Sequence, residues 1–188
     1  MRYDLLSHEE SNIIVETILS LEDYVKSTGP GIYFGPNDNS LTGRFHCYNF
    51  LSNEVIGSIL KPKLKEIFKV PVVVQCWANI FRRGEGIGEH MHSDDSVDKN
   101  GNLFGSANIF LYGDPTIGTY YNGVKSINKI GEMTLFPKTM YHFVPQNPTD
   151  DIRVSMAFDF YIGSDKFMNE LVTSEPHRYI IVSKTDSE

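Results

Sequence analysis

Hydrophobic residues recur at helical spacing in the first third of the chain and alternate with polar residues after it. The first apolar stripe follows Ser7, a residue type that caps helix starts. Its members are Ile13, Ile14, Ile18, Leu21 and Val25. A second stripe lies between residues 52 and 68. We expect Pro62 to kink or split this second helix, because proline lacks an amide donor.

From residue 72 onward, short runs rich in β-branched and aromatic residues are typical of strands. The predicted strands are 72–81, 87–94, 103–112, 116–124, 131–136, 140–144 and 151–162. Turn-forming residues separate them. The pattern predicts a mainly β chain with N-terminal helices, folded as a barrel or jelly roll. We expect one domain, with helical support over 1–70, a β core over 71–162 and a C-terminal extension over 163–188.

Composition and charge narrow the class of protein. The chain has 188 residues, of which 40% are hydrophobic and 22% charged, as in ordinary globular domains. Its net charge of −7 argues against broad contact with nucleic acid. No apolar run reaches the roughly 18–20 residues of a membrane span, and Cys47 and Cys76 form no disulfide framework. We therefore expect a cytoplasmic protein with free thiols and neither a nucleic-acid nor a membrane partner.

Potential metal ligands alternate in the segment GEGIGEHMHSDD. His90, His92 and Asp94 are two residues apart, so in a strand they would share one face. His142 lies on a later predicted strand that could run beside the first. Two imidazoles and one carboxylate on one side of a metal leave the opposite positions open, as non-heme Fe(II) oxygenases require. The favoured ligand set is His92, Asp94 and His142, because an anionic ligand helps to neutralise Fe(II); the alternative replaces Asp94 with His90.

Arg153 and Ser155 share a face of the last predicted strand. A guanidinium matches a carboxylate bidentately and a hydroxyl can add a hydrogen bond, so this pair could hold the far carboxylate of a dicarboxylic acid. The alternative for Arg153 is an ion pair at the strand edge with Asp151 or Asp159.

Alternation also places Asn108 and Tyr112 on one face of the strand 103–112. Both side chains could donate hydrogen bonds to the carboxylates of a co-substrate. A satisfied amide and phenol in the core is the alternative for this pair.

The segment from residue 77 to residue 162 resembles the double-stranded β-helix core of the iron(II)/2-oxoglutarate-dependent oxygenases. It is most similar to the prolyl-hydroxylase-like branch and to oxygenases of bacteria and their phages. The matching motifs are WANIFRRGEG, SANIFLY, GEMTLFP before His142, and RVSMAFDF with its Arg-x-Ser pair. The resemblance implies Fe(II), 2-oxoglutarate and O2 as reactants, with succinate and CO2 as products. It also implies hydroxylation of a prolyl-like peptide side chain or of a small molecule.

The resemblance adds an argument for the alternative ligand set. Gly84 lies six residues before His90, and in the similar bacterial oxygenases this spacing favours His90 and His92 as the motif pair. A cupin-like metal enzyme that does not use 2-oxoglutarate, and a jelly-roll binding module without activity, are the other functions left open. A phage-encoded protein acting in the host cytoplasm is also compatible with the resemblance.

Overall fold

A computed structural model of the chain describes residues 1–31, 41–92 and 103–182. Its α-helices are α1 (His8–Ser27), α2 (Glu54–Ile67) and α3 (Asp165–Ser174). Short 3-10 helices lie at Thr42–Arg44, Phe50–Ser52 and Pro115–Ile117. The strands are β1 (Arg2–Asp4), β2 (Val72–Phe81), β3 (Ile87–His90), β4 (Leu103–Tyr112), β5 (Thr119–Tyr121), β6 (Val124–Ser126), β7 (Glu132–Phe136), β8 (His142–Val144), β9 (Arg153–Tyr161) and β10 (Ile180–Val182).

The described strands form two antiparallel sheets. The six-stranded sheet has the order β1-β7-β4-β9-β2-β10, and the four-stranded sheet has the order β3-β8-β5-β6. The chain crosses from one sheet to the other between β2 and β3, β3 and β4, β4 and β5, β6 and β7, β7 and β8, and β8 and β9. This alternation is that of a double-stranded β-helix, so the predicted jelly roll with N-terminal helices is confirmed.

Helix α1 begins where the sequence predicts. The Ser7 hydroxyl accepts a hydrogen bond from Glu10 N at 3.1 Å, and the Glu10 carboxylate accepts one from Ser7 N at 2.8 Å. This reciprocal pair satisfies two amides that a helix start otherwise leaves unpaired. The helix then buries an apolar stripe that includes Ile14, Ile18 and Val25.

Helix α2 continues through Pro62, so of the predicted kink or split the split does not occur. Proline in a helix removes one amide donor and crowds the preceding turn. The cost is offset here because Ile56, Leu60 and Leu64, on both sides of Pro62, are fully buried in the core.

The two faces of the six-stranded sheet differ in chemistry. The residues that join the core cluster containing the helices include Val74, Cys76, Ala78, Ile80, Ile109, Val154, Met156, Phe158 and Phe160. Residues between them, such as Trp77, Asn79, Ser155 and Asp159, line the space between the sheets. Because both faces are covered, every residue of β2 is buried, including the polar residues on its inner face.

The prediction of one strand over 116–124 is wrong. A 3-10 helix lies at the start of this segment, β5 in its middle and the first residue of β6 at its end. The Asp114 carboxylate caps the 3-10 helix by accepting from Thr116 N at 2.8 Å. Asn122 and Gly123 have positive φ angles of 48° and 78°, which close the tight turn between β5 and β6. The sequence did not predict β1, α3 or β10, and β3 ends at His90.

Both cysteines are free; Cys76 is buried in the core and Cys47 is partly exposed. No helix in the described part of the chain combines the length and the apolar character that crossing a bilayer requires.

Candidate metal and co-substrate site

A cavity of about 500 Å³ lies between the two sheets. The large sheet contributes Trp77, Asn79 and Asp159 to its wall, and the small sheet contributes His90 and His142. Apolar and polar groups therefore converge in one cavity, as they do in ligand sites.

Three histidines meet at this cavity. Strands β3 and β8 pair with His90 opposite His142, and the centroids of these two rings are 4.2 Å apart. The His92 ring lies 5.0 Å from that of His142. The potential ligand atoms of all three side chains lie within 4.8 Å of one another. One metal ion could therefore contact the three imidazoles together.

The Nδ1 atom of each histidine lies within hydrogen-bond distance of an oxygen acceptor. The Nδ1 partners are Gly88 O for His90 at 2.8 Å, Asp159 Oδ1 for His92 at 2.5 Å, and Met140 O for His142 at 3.0 Å. Because these oxygens only accept, each Nδ1 carries a proton, and whenever the ring is neutral its Nε2 has the lone pair that binds metal. The tautomers, as well as the positions, fit a divalent metal.

The protonation of the three histidines differs with their surroundings. Burial, with help from the neighbouring imidazoles, lowers the pKa of His142 to about 3. Burial also lowers the pKa of His90. Burial would do the same to His92, but the Asp159 carboxylate outweighs it and the pKa of His92 is raised. Near neutral pH, His90 and His142 are uncharged and ready to act as ligands.

The structure brings together His90, His92 and His142 of the predicted metal ligands. Asp94 lies outside the described residues, so the set that contains it stays a prediction. Among the residues that the structure describes, the ligand atoms that lie together are those of the alternative set, in which His90 replaces Asp94.

Arg153 is 0% exposed and lies between the Phe81 and Phe110 rings, with its guanidinium carbon 5.7 and 5.4 Å from their centroids. It donates to Thr119 Oγ1 at 3.2 Å and to Ser155 Oγ at 3.4 Å, while its Nε has no hydrogen-bond partner. Burial lowers the pKa of Arg153 to about 10.

No carboxylate of the described residues pairs with Arg153, so the alternative of an ion pair with Asp151 or Asp159 is wrong. A buried cation without a counter-ion is costly, because burial removes water that no protein charge replaces. An organic carboxylate held by the guanidinium and the neighbouring hydroxyls would remove this cost. Arg153 does not itself line the cavity, but Ser155 and Thr119, to which it donates, do. One end of a dicarboxylate in the cavity could therefore be held by these two hydroxyls, with the guanidinium behind them.

Of the other two predicted co-substrate contacts, Asn108 lies at the cavity and Tyr112 does not. Asn108 lines the cavity, and its Oδ1 atom is buried without a hydrogen-bond partner. Tyr112 is 43% exposed and does not line the cavity. The pairing of β4 with β9 shifts between Phe110 and Tyr112, so a bulge breaks the alternation on which the prediction depended.

Sequence reasoning missed two residues of β5 beside Arg153. Thr119 accepts from the guanidinium, as described above. Burial raises the pKa of Tyr121 to about 12, so its phenol keeps its proton and can donate a hydrogen bond. Thr119 and Tyr121 are two residues apart within the predicted strand 116–124, so alternation places them on one face, but only the tertiary structure shows that this face meets Arg153.

Asp159 was also missed as a site residue. It lies on the same face of β9 as Arg153 and Ser155, which is visible in the spacing of RVSMAFDF. Only its tertiary contacts, with His92 and with Ser106 Oγ at 2.6 Å, show that it belongs to the metal side of the cavity.

Residues outside the two sheets complete the wall. The Phe45 ring lies 5.9 Å from the Trp77 ring, and Trp77 in turn stacks on His92 at 5.6 Å. The Arg178 guanidinium lies over Phe45 at 5.5 Å and donates to Glu175 at 3.3 Å. A series of aromatic contacts thus extends from the histidines to an ion pair contributed by the C-terminal part of the chain.

No family model matches the chain, and no curated protein matches its sequence. Solved structures do match. A prolyl-4-hydroxylase of Pseudomonas putida is 12% identical with a TM-score of 0.54, over 87% of this chain and 92% of that one. The viral collagen prolyl hydroxylase of Paramecium bursaria Chlorella virus-1, in its 2OG complex, is 13% identical with a TM-score of 0.56, over 87% and 96%.

A third match is the non-heme monooxygenase ThoJ in a nickel complex, which is 15% identical with a TM-score of 0.64. This match covers 99% of the present chain and 80% of ThoJ. At these identities the comparisons concern the fold. The chain has the double-stranded β-helix fold of the iron(II)/2-oxoglutarate-dependent oxygenases.

Proposed function

We propose that the protein is an Fe(II)/2-oxoglutarate-dependent dioxygenase that hydroxylates a peptidyl, prolyl-like side chain or a small molecule. The observation that carries this proposal is the buried Arg153 without a counter-ion, within a fold that also assembles three histidines. Bound together, Fe(II), 2-oxoglutarate and O2 would supply the oxidation of an unactivated C–H bond, with release of succinate and CO2.

In this proposal His90, His92 and His142 hold the metal on one side. Their Nδ1 atoms are fixed by oxygen acceptors, so the rings are oriented before the ion arrives. Ligands confined to one side leave other positions for the co-substrate and O2.

Arg153 would hold the distal carboxylate of 2-oxoglutarate, with hydroxyl support from Ser155 and Thr119. The Phe81 and Phe110 rings exclude water from the guanidinium, which strengthens its attraction for an anion. Asn108 lines the same cavity, and its side-chain amide nitrogen is a hydrogen-bond donor.

The primary substrate would contact the wall formed by Phe45, Trp77, Glu175 and Arg178. Aromatic faces beside an ion pair suit an apolar group that carries polar atoms, such as a peptide side chain or a compact metabolite. Of the three similar structures named above, two are prolyl hydroxylases and one is a monooxygenase, and hydroxylation is proposed by analogy with these three.

A cupin-like metal enzyme without 2-oxoglutarate is the second candidate. The observation in its favour is the ligand set, which has three imidazoles and no carboxylate among the described residues. This candidate leaves the buried charge of Arg153 unexplained, and it predicts metal binding without affinity for 2-oxoglutarate.

The ligand set can be tested with the chain's only tryptophan, Trp77, which stacks on His92. Co(II), a stable substitute for Fe(II), should quench its fluorescence on binding. We expect His90→Ala to weaken Co(II) binding at least about 100-fold, because one of three ligands is lost, while Asp94→Ala keeps wild-type affinity. The Fe(II)-loaded wild-type protein should also convert 2-oxoglutarate to succinate.

Loss of Co(II) binding in Asp94→Ala but not in His90→Ala would restore His92, Asp94 and His142 as the ligand set. A wild-type protein that binds Co(II) but not 2-oxoglutarate would favour the cupin-like enzyme. A wild-type protein that binds neither would contradict both enzymatic candidates.

A further inference from the structure

Asp159 is a buried carboxylate that contacts Nδ1 of His92, the ring nitrogen opposite the one that faces the metal site. Its side chain comes from the inner face of β9, and the residue is 8% exposed. Oδ1 accepts from His92 Nδ1 at 2.5 Å and from Ser106 Oγ at 2.6 Å. Ser106 is itself fully buried on the neighbouring strand β4, so two strands of the large sheet fix the carboxylate.

Among the described residues no lysine or arginine pairs with Asp159, and its basic partner is His92. A buried carboxylate needs a nearby positive charge to offset the loss of water. A divalent metal on the far side of the His92 ring would supply that charge.

We propose that Asp159 is the anionic partner of the metal centre and acts through His92 rather than as a ligand. This inference rests on the proposed metal site. Three neutral imidazoles give the metal no negative charge, whereas a two-histidine, one-carboxylate set includes an anion among the ligands. Asp159 places that anion one hydrogen bond away from the metal's own ligand.

The three histidines are therefore not equivalent. His90 and His142 donate to backbone carbonyls, whereas His92 donates to a carboxylate. A carboxylate acceptor increases electron density at the opposite ring nitrogen and fixes the plane of the ring more firmly. His92 becomes the strongest donor of the set, with Asp159 as its positioning residue and Ser106 as the support of Asp159.

The test compares Co(II) affinity, measured by quenching of Trp77 fluorescence, across substitutions of Asp159 and Ser106. Asp159→Asn keeps the shape and an oxygen acceptor but removes the charge, and we expect it to weaken Co(II) binding about 10- to 100-fold. Asp159→Leu also removes the acceptor and should weaken binding further. Ser106→Ala keeps the charge with one hydrogen bond fewer, so its loss should be smaller than that of Asp159→Asn.

The absorption spectrum of bound Co(II) gives a readout that a purely structural role would not change. We expect the ligand-field bands to shift in Asp159→Asn, because the donor strength of His92 is altered. Glu22→Gln is the matched control, since it also removes the charge of a buried carboxylate, but one paired with Arg82 outside the cavity. It should lower the melting temperature without changing Co(II) affinity or spectrum.

Wild-type Co(II) affinity and spectrum in Asp159→Asn would overturn the inference while leaving the metal site intact. If Asp159→Asn does not fold, wild-type Co(II) affinity in Asp159→Leu would overturn it instead. A wild-type protein that binds no Co(II) would overturn the proposed function itself, and this inference with it.

Discussion

The guanidinium of Arg153 is enclosed by two phenyl rings and two hydroxyl groups, and its charge has no protein counterpart among the described residues. Such a charge destabilises the ligand-free fold, and it stabilises the complex once an anion binds. Its energetic effect should therefore have opposite signs in the two states.

Replacing Arg153 with methionine should separate these two effects. We expect Arg153→Met to weaken 2-oxoglutarate binding at least about 100-fold, or ~2.7 kcal/mol, and to leave Co(II) affinity unchanged. The metal-free variant should be as stable as the wild type or more stable, because an unpaired buried charge is lost. Isothermal calorimetry and thermal melting in the presence of a chelator measure these quantities.

Arg82→Met provides the control, since Arg82 is about half exposed and pairs with Glu22 away from the cavity. It should leave 2-oxoglutarate binding unchanged. Wild-type affinity in Arg153→Met would contradict the co-substrate role and favour the cupin-like candidate.

The candidate co-substrate residues were predicted from the alternation of side chains along a strand. This alternation was reliable only where the strand is regular. It correctly placed Arg153 and Ser155 on one buried face. It failed for Tyr112, because the shift in pairing after Phe110 turns the side chain toward solvent. A bulge depends on the partner strand, so the local sequence does not reveal it.

Among the elements, α1 is held to the sheet by a polar contact as well as by its apolar stripe. Glu22 accepts from both terminal nitrogens of Arg82, at 3.0 and 2.8 Å, and from Lys26 at 2.6 Å. Arg82 directly follows β2, so this contact joins the helix to the end of a central strand. Its bidentate geometry makes it stronger than an ordinary surface pair.

The Glu22 contact predicts a pH dependence of stability. Hydrogen bonding to Arg82 lowers the pKa of Glu22, so the folded state binds this proton more weakly than the unfolded state. The stabilisation is complete above the unfolded pKa of about 4.3 and is lost as the pH falls through the lower folded pKa. We expect Glu22→Gln to cost about 1 kcal/mol near pH 7 and much less near pH 3.

Urea unfolding of the wild type and Glu22→Gln across this range measures the difference. Glu16→Gln, on the exposed side of the same helix, should show no such dependence. A cost for Glu22→Gln that does not change with pH would contradict the assignment of the effect to the carboxylate charge.

The regular elements were predicted best where they bury one continuous apolar stripe. The periodicity that identified α1 and β2 is a consequence of burial that any single element shows in its own sequence. Short strands such as β1 and β10 carry too few residues for a period, and they form because β7 and β2 offer free edges. Their existence is decided by neighbours that are distant in the sequence.

For the whole molecule, the cavity lies where the two sheets face each other, so ligands there contact both sheets. The histidines join β3 and β8 of the small sheet to β9 of the large one through Asp159. Arg153 joins β9 to β5 in the same way. Binding at the site should therefore stabilise the fold as a unit.

Binding of Co(II) should therefore raise the melting temperature, and binding of 2-oxoglutarate after it should raise it further. Co(II) at about 100 times its dissociation constant contributes ~2.7 kcal/mol, or about 5 to 10 °C for a chain of this size. 2-Oxoglutarate should add to this shift when Co(II) is present and much less when it is absent, since one end of the molecule would bind the metal. Differential scanning fluorimetry, with removal of the metal by a chelator as the reversal, measures both effects.

A full 2-oxoglutarate shift without metal would mean that the dicarboxylate binds Arg153 alone. It would contradict a co-substrate bridge between Arg153 and the histidines.

The sequence by itself determined the fold class, the candidate metal ligands His90, His92, Asp94 and His142, and the Arg153–Ser155 pair, because periodicity and spacing are local properties. The tertiary structure decided which side chains meet. It placed His90 opposite His142, turned Tyr112 outward, and brought Thr119 to Arg153 and Asp159 to His92. These contacts join strands separated by 34 residues or more, and they depend on how the two sheets close on each other.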